Sequence, residues 1–176
     1  MIRFELLNKN HFSIFSSRLF AILANNMSQI NPSGNTYDED YALWHNANSK
    51  SIIDETRNII LIYFNGAVIG FFTYCIRDDE IFFMEEIQIA PQYQGKKYDV
   101  FRKLYGFIFT VLPPGIKIVK SYTNKMNHKA YRILWHLGLH IVGENERGSG
   151  YRFEGSFENL LAWYNRAPNV STRAEE

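Results

Sequence analysis

The stretch EIFFMEEIQIAPQYQGKKYDVFRKLYGFIFTVL, Glu80 to Leu112, decides the fold. Glu80 to Ala90 is a short apolar run bounded by turn formers, the pattern of a strand buried on both faces. Pro91 ends the strand and a polar loop follows. From about Lys97 the spacing predicts an amphipathic helix to Leu112, with Val100, Phe101, Leu104, Phe107, Ile108 and Val111 as its apolar stripe. Pro113-Pro114-Gly115 stops it. A strand that feeds a helix N-terminus through a loop offers unpaired N–H groups and the positive end of a helix dipole, which suit an anion. Two adjacent carboxylates, Glu85 and Glu86, interrupt the apolar strand.

Upstream, Asn58 to Phe64 and Ala67 to Ile76 are β-branched and aromatic, and Asn65-Gly66 between them is a type I′ turn signal. Arg77-Asp78-Asp79 makes a second turn into Glu80, so three strands form a meander. Ahead of them the pattern predicts a strand over 2–7, a helix over about 10–29 and a second helix from Tyr37 to Asp54. Asp38, Glu39 and Asp40 fall in the first turn of that second helix, where they either complement its dipole or rim an opening for a cationic substrate. Downstream come a strand from Ile116 to Tyr122 and a helix from Asn124 to Leu137 ended by Gly138. Strands at Leu139 to Val142 and Tyr151 to Phe153, a short helix from Phe157 to Asn165 and a polar tail from Arg166 complete the chain. A meander entering a β-α-β unit implies an α/β fold of mixed, α+β-like character. Its sheet is mostly antiparallel, of about six or seven strands, with helices on both faces. One domain over 1–165 is expected, followed by the tail 166–176.

The chain of 176 residues is 46% apolar and 16% aromatic, which excludes general disorder, and its net charge of +1 gives no general attraction to nucleic acid or to an anionic membrane. Cys75 is the single cysteine, so neither an internal disulfide nor a multi-thiolate zinc site is available. His136 and His140 are four apart but Gly138 breaks the helix between them, and no metal is expected. The start, MIRFELLNKNHF, lacks the apolar run of a signal peptide, and no segment approaches the length of a membrane span, so a cytoplasmic location is expected.

The order of elements, the stretch Ile87-Gln88-Ile89-Ala90-Pro91-Gln92-Tyr93-Gln94-Gly95-Lys96, and Asn127-x-x-Ala130 leading to Leu137-Gly138-Leu139 together resemble the GCN5-related N-acetyltransferases. The resemblance covers nearly the whole chain. It implies acetyl-coenzyme A as cosubstrate. The arm of that molecule would lie along the fourth strand at Ile87, Gln88 and Ile89. Its pyrophosphate would be held by the loop Gln94, Gly95, Lys96, Lys97, Tyr98 and Asp99, with Asn127 as a further contact. The family pattern in this loop, Gln/Arg-x-x-Gly-x-Gly/Ala, is degenerate here. Started at Gln94 it meets Lys97 and Asp99 where glycine and glycine or alanine belong, and started at Gln92 it recovers Gly95 but still ends on Lys97. A left-handed conformation at Lys97 would cost about 1–2 kcal/mol.

The resemblance also implies roles. Acyl transfer to an amine needs a proton acceptor, and a carboxylate desolvated in an apolar strand has a raised pKa suited to that task. The doublet resembles that of polyamine acetyltransferases in the same family, with Glu85 as general base, directly or through water, and Glu86 binding the substrate cation. Strict alternation sends the two carboxylates to opposite faces unless a bulge intervenes. The tyrosine that many relatives carry seven residues after the helix asparagine is replaced by Leu134. Tyr131, one turn earlier, offers a hydroxyl for the departing thiolate, with water, His128 or His136 as other donors. The implied function is acetyl transfer to a primary amine of a small cationic or peptide-like acceptor. The alternative is a catalytically impaired binding or regulatory module on the same fold. Pairing through the last strands offers a route to a homodimer.

Overall fold

A computed structural model describes residues 1–28, 30–95 and 97–166. Lys96 and the tail beyond Arg166 lie outside the described residues. In chain order the elements are β1 (Ile2–Leu6), α1 (Phe12–Met27), α2 (Tyr37–Ile53), β2 (Asn58–Phe64), β3 (Ala67–Arg77), β4 (Ile81–Ile89), α3 (Val100–Val111), β5 (Ile118–Asn124), α4 (His128–His136), β6 (His140–Glu144), β7 (Gly150–Ser156) and α5 (Phe157–Asn165). The strands form one sheet in the order β1-β2-β3-β4-β5-β7-β6. Only β4 and β5, joined by the α3 crossover, run parallel among these pairs. This is the mixed, mostly antiparallel sheet that the pattern implies.

The continuous apolar run of β2 follows from its central place. Ile60 and Ile62 enter a core with Leu104 and Ile108 of α3, Leu134 of α4 and Leu160 of α5. Ile59, Leu61 and Tyr63 enter a second core with Phe12 and Leu19 of α1 and Ile52 of α2. Helices α1 and α2 therefore cover one face, and α3, α4 and α5 the other. The meander turns obey their chemistry. Asn65 and Gly66 have φ of 49° and 85°, and Asp78 and Asp79 have φ of 51° and 59°, all left-handed as type I′ turns require.

Two helices start later than the periodicity predicts. Asp99, at φ 49° and ψ 37°, cannot continue a right-handed helix, so α3 begins at Val100 instead of near Lys97. Asn127 caps α4, its side-chain oxygen accepting from the Ala130 N–H at 3.0 Å, so that helix begins at His128 instead of Asn124. Strand β7 is longer than Tyr151 to Phe153 because it pairs with β5 along its whole length, from Ser156 opposite Ile118 to Gly150 opposite Asn124.

Candidate active site

The β4–β5 pairing stops half way along both strands. It runs from Ile81 opposite Ile118 to Met84 opposite Ser121, and the Ser121 hydroxyl donates to the Met84 carbonyl at 2.9 Å at the last rung. Beyond it β4 continues against β3 and β5 against β7. The edges Glu85–Ile89 and Tyr122–Asn124 thus diverge into a wedge whose backbone groups are not paired across it.

At the point of divergence β4 bulges. On β3, Thr73 opposes Glu86 and Tyr74 opposes Met84, which leaves Glu85 as the extra residue. The bulge cancels the alternation that would separate the two carboxylates. Met84 and Ile87 pack into the core on the α3 side, whereas both glutamates turn towards α1 and α2.

Glu85 is held from two directions by Arg57, the residue just before β2. Arg57 Nε donates to one carboxylate oxygen at 2.5 Å and its Nη2 to the other at 3.1 Å. Arg57 Nη1 donates to Asn48 of α2 at 3.0 Å, and Asn48, buried, donates to the Trp44 carbonyl at 2.9 Å. The fork matches a carboxylate bidentately, the strong geometry for such a pair.

Glu86 accepts from Gln88 Nε2 at 3.1 Å, and Gln88 Oε1 accepts from Asn26 of α1 at 2.8 Å. Burial is the dominant influence on Glu86 and pushes its carboxyl above the ordinary range. The Gln88 donor, the nearby Trp44 indole and the Arg57 charge act the other way, and the Glu85 charge adds to the rise. The buried Trp44 indole nitrogen makes no hydrogen bond of regular geometry with the described residues, so it stands as a spare donor beside the carboxylate.

The predicted cradle lies at the other end of β4. Gln94 is tied down by donating to the Ile89 carbonyl at 2.6 Å and by accepting from Lys129 of α4. Gly95 has φ 102°, a conformation that favours glycine. Asp99, at φ 49°, is a non-glycine residue in the left-handed region at the end of this loop. No side chain caps α3, whereas Thr36, Asn127 and Ser156 cap α2, α4 and α5. Among the described residues no side chain takes up the first N–H groups of α3, and Lys97 is exposed in the same loop, features that suit a phosphate, whereas the exposed Asp99 opposes one.

The other sequence-predicted residues are placed as follows. Ile87 and Ile89 face the α3 core, and the Gln88 side chain turns under α1, so only the backbone of this segment borders the wedge. Asn127 spends its side-chain oxygen on the α4 cap. The Tyr131 ring packs on β7, 5.6 Å from Phe153 and 6.1 Å from Tyr151, and stacks on Trp135. It is not brought together with the glutamates. Glu39 completes a capping box with Thr36, and Asp40 accepts from Ser33 and Asn35, so both are engaged in starting α2. No group of three or more His, Cys, Asp or Glu side chains converges among the described residues, and no described helix is long and apolar enough to cross a membrane.

Arg57, Asn48, Trp44 and Asn26 are site residues that sequence reasoning missed. A signal existed for two of them. Asn48 interrupts the stripe Trp44, Asn48, Ile52, and Asn26 extends the stripe Leu19, Ile22, Leu23. An amide on a helix face otherwise turned to a sheet needs a buried partner.

No family model and no curated protein matches the sequence. Solved structures do match. The PaiA N-acetyltransferase of Thermoplasma acidophilum in complex with coenzyme A is 13% identical, with a TM-score of 0.67 over 89% of this chain and 99% of that one. An acetyltransferase of Streptococcus agalactiae is 11% identical, with a TM-score of 0.69 over 88% and 98%. The spermidine N-acetyltransferase of Vibrio cholerae, in complex with coenzyme A and spermine, is 18% identical, with a TM-score of 0.61 over 91% and 98%. A mixed seven-stranded sheet whose two parallel strands splay where β4 bulges against β3, covered by helices on both faces, is in this chain the fold of the GCN5-related N-acetyltransferases.

Proposed function

We propose that this chain is an N-acetyltransferase that uses acetyl-coenzyme A and a primary amine of a small cationic or peptide-like acceptor. The amine attacks the thioester carbonyl carbon directly. A C–N bond forms, the C–S bond breaks, and the ammonium proton passes to a carboxylate of β4. One observation carries this reading: the bulge at Glu85 sets two carboxylates at the mouth of the wedge where β4 leaves β5. The fold shared with structures that bind coenzyme A supports it.

Of the two acids, Glu86 is assigned as proton acceptor and Glu85 as the acid that fixes the bulge. Both oxygens of Glu85 are engaged by Arg57, whereas burial leaves Glu86 with the raised proton affinity that a base near neutral pH requires. This moves to Glu86 the proton-acceptor role that the family resemblance implies for Glu85, and gives Glu85 a structural one. The wedge backbone from Ile87 to Ile89, the loop Gln94 to Asp99 and Lys129 are assigned to the cosubstrate, and Tyr131 remains the candidate donor to the departing thiolate.

The second reading, a module that binds without catalysing, is favoured by Asp99, which sets a carboxylate at the helix end where a phosphate would lie. Thermal unfolding with acetyl-coenzyme A tests the cosubstrate assignment. A ligand at ~100 times its dissociation constant stabilises by about 2.7 kcal/mol. Absence of any shift at millimolar acetyl-coenzyme A would remove it.

A further inference from the structure

The geometry points to Asn26, on α1 and 60 positions from Glu86 in sequence (86 minus 26), as a positioning residue that fixes which way the Gln88 amide faces and thereby sets the proton affinity of Glu86. The inference rests on Glu86 being the proton acceptor of the proposed reaction.

The orientation of these amides follows from donor and acceptor counting. The Ile89 carbonyl can only accept, and Asn26 lies against it with Nδ2 at 3.0 Å, so the Asn26 group there is its NH2. The same NH2 has a second hydrogen, which goes to Gln88 at 2.8 Å, so Gln88 must present its oxygen to Asn26. Its own NH2 then has one direction left, and it donates to Glu86 at 3.1 Å. A backbone carbonyl thus dictates, through two amides, that Glu86 receives a donor and not a second oxygen. Gln88 is buried and Asn26 is half-buried, so water does not freely replace these links. The Ile89 carbonyl also accepts from Gln94 at 2.6 Å, which ties the chain to the predicted cradle loop.

A donor to a carboxylate favours its charged form. Around Glu86 this donor acts with the Trp44 indole and the Arg57 charge, against burial and against the Glu85 charge, while Thr73 opposite on β3 carries none. If Gln88 turned over, its oxygen would face the carboxylate and Glu86 would hold its proton to higher pH.

The test is a pH titration of the Glu86 side-chain carboxyl by ¹³C NMR in glutamate-labelled protein, with the signal assigned by its loss in Glu86→Gln. Wild type is compared with Asn26→Ala, Gln88→Met and the double variant. Both single variants should move the Glu86 midpoint up by about one pH unit. The double variant should match Gln88→Met alone, because the two act through one link. An unmoved midpoint in Asn26→Ala, or shifts that add in the double variant, would overturn the inference. Where Asn26→Ala does not fold, Asn26→Asp serves. Its carboxylate can accept only, so the midpoint must rise further with Gln88 present than in the Gln88→Met background, and equal rises would overturn the inference too. The titration needs no acetyl transfer, so a protein without activity that still shows these shifts contradicts the proposed function and not the network.

Discussion

Arg57 grips Glu85 with two nitrogens, at 2.5 Å and 3.1 Å, and reaches Asn48 with the third. One guanidinium therefore ties the end of α2 to the bulge of β4. Both side chains are mostly shielded, at 23% and 17% exposure. Removing one member strands the other, whereas removing both replaces a costly pair with neutral groups. Arg57→Ala should lower stability by about 3 kcal/mol. Adding Glu85→Gln should recover much of that loss in denaturant unfolding, and additive losses would show that the pair is not coupled.

Glu86→Gln separates activity from stability. If Glu86 accepts the proton, the rate should fall by ~10²-fold or more. Stability should move the other way. A carboxyl whose folded pKa is raised above its unfolded value of 4.5 holds its proton longer when folded. Its favourable contribution is complete below about pH 4.5 and is lost as pH rises through the folded pKa. The Gln variant should therefore unfold at higher temperature than wild type near neutral pH, with the gap closing towards pH 4. The check is thermal unfolding across that range.

Asp99→Gly removes two handicaps. The left-handed φ of 49° costs a non-glycine residue about 1 kcal/mol, and the carboxylate sits at the uncapped N-terminus of α3. The variant should be at least as stable as wild type and bind coenzyme A about tenfold more tightly by calorimetry, a change of about 1.4 kcal/mol. Unchanged affinity would place the phosphates elsewhere.

Gly70 tests the β3–β4 approach beside the site. A Cβ there would lie 2.4 Å from the Gln88 carbonyl oxygen, a backbone atom that cannot move aside alone. Gly70→Ala should cost about 1–3 kcal/mol and disturb the Gln88 link. Denaturant midpoints and the Glu86 titration would report the two effects separately.

Most of the fold could be read from local signals. The I′ turn signal Asn65-Gly66, the polar turn Arg77-Asp78-Asp79, the β-branched and aromatic run of β2 and the proline stop after Leu112 each carry their own chemistry. The site was legible only in part. Adjacent glutamates in an apolar strand marked the place, but the bulge that unites them depends on the register with β3, whose partners lie 10 and 13 residues away (84 minus 74, 86 minus 73). The Arg57 pair and the Asn26 link join residues 28 and 62 positions apart, and no spacing rule reaches that far. The start of α3 was misplaced because the helical period of the stripe is blind to a single left-handed residue at Asp99.

The most direct measurement is release of coenzyme A thiol from acetyl-coenzyme A, with and without a panel of primary amines, in wild type and in Glu86→Gln. The expected result is amine-dependent release by wild type that falls by ~10²-fold or more in the variant while coenzyme A still binds. Binding without amine-dependent release, or release that Glu86→Gln leaves unchanged, would contradict the assignment of this wedge as an acetyl-transfer site.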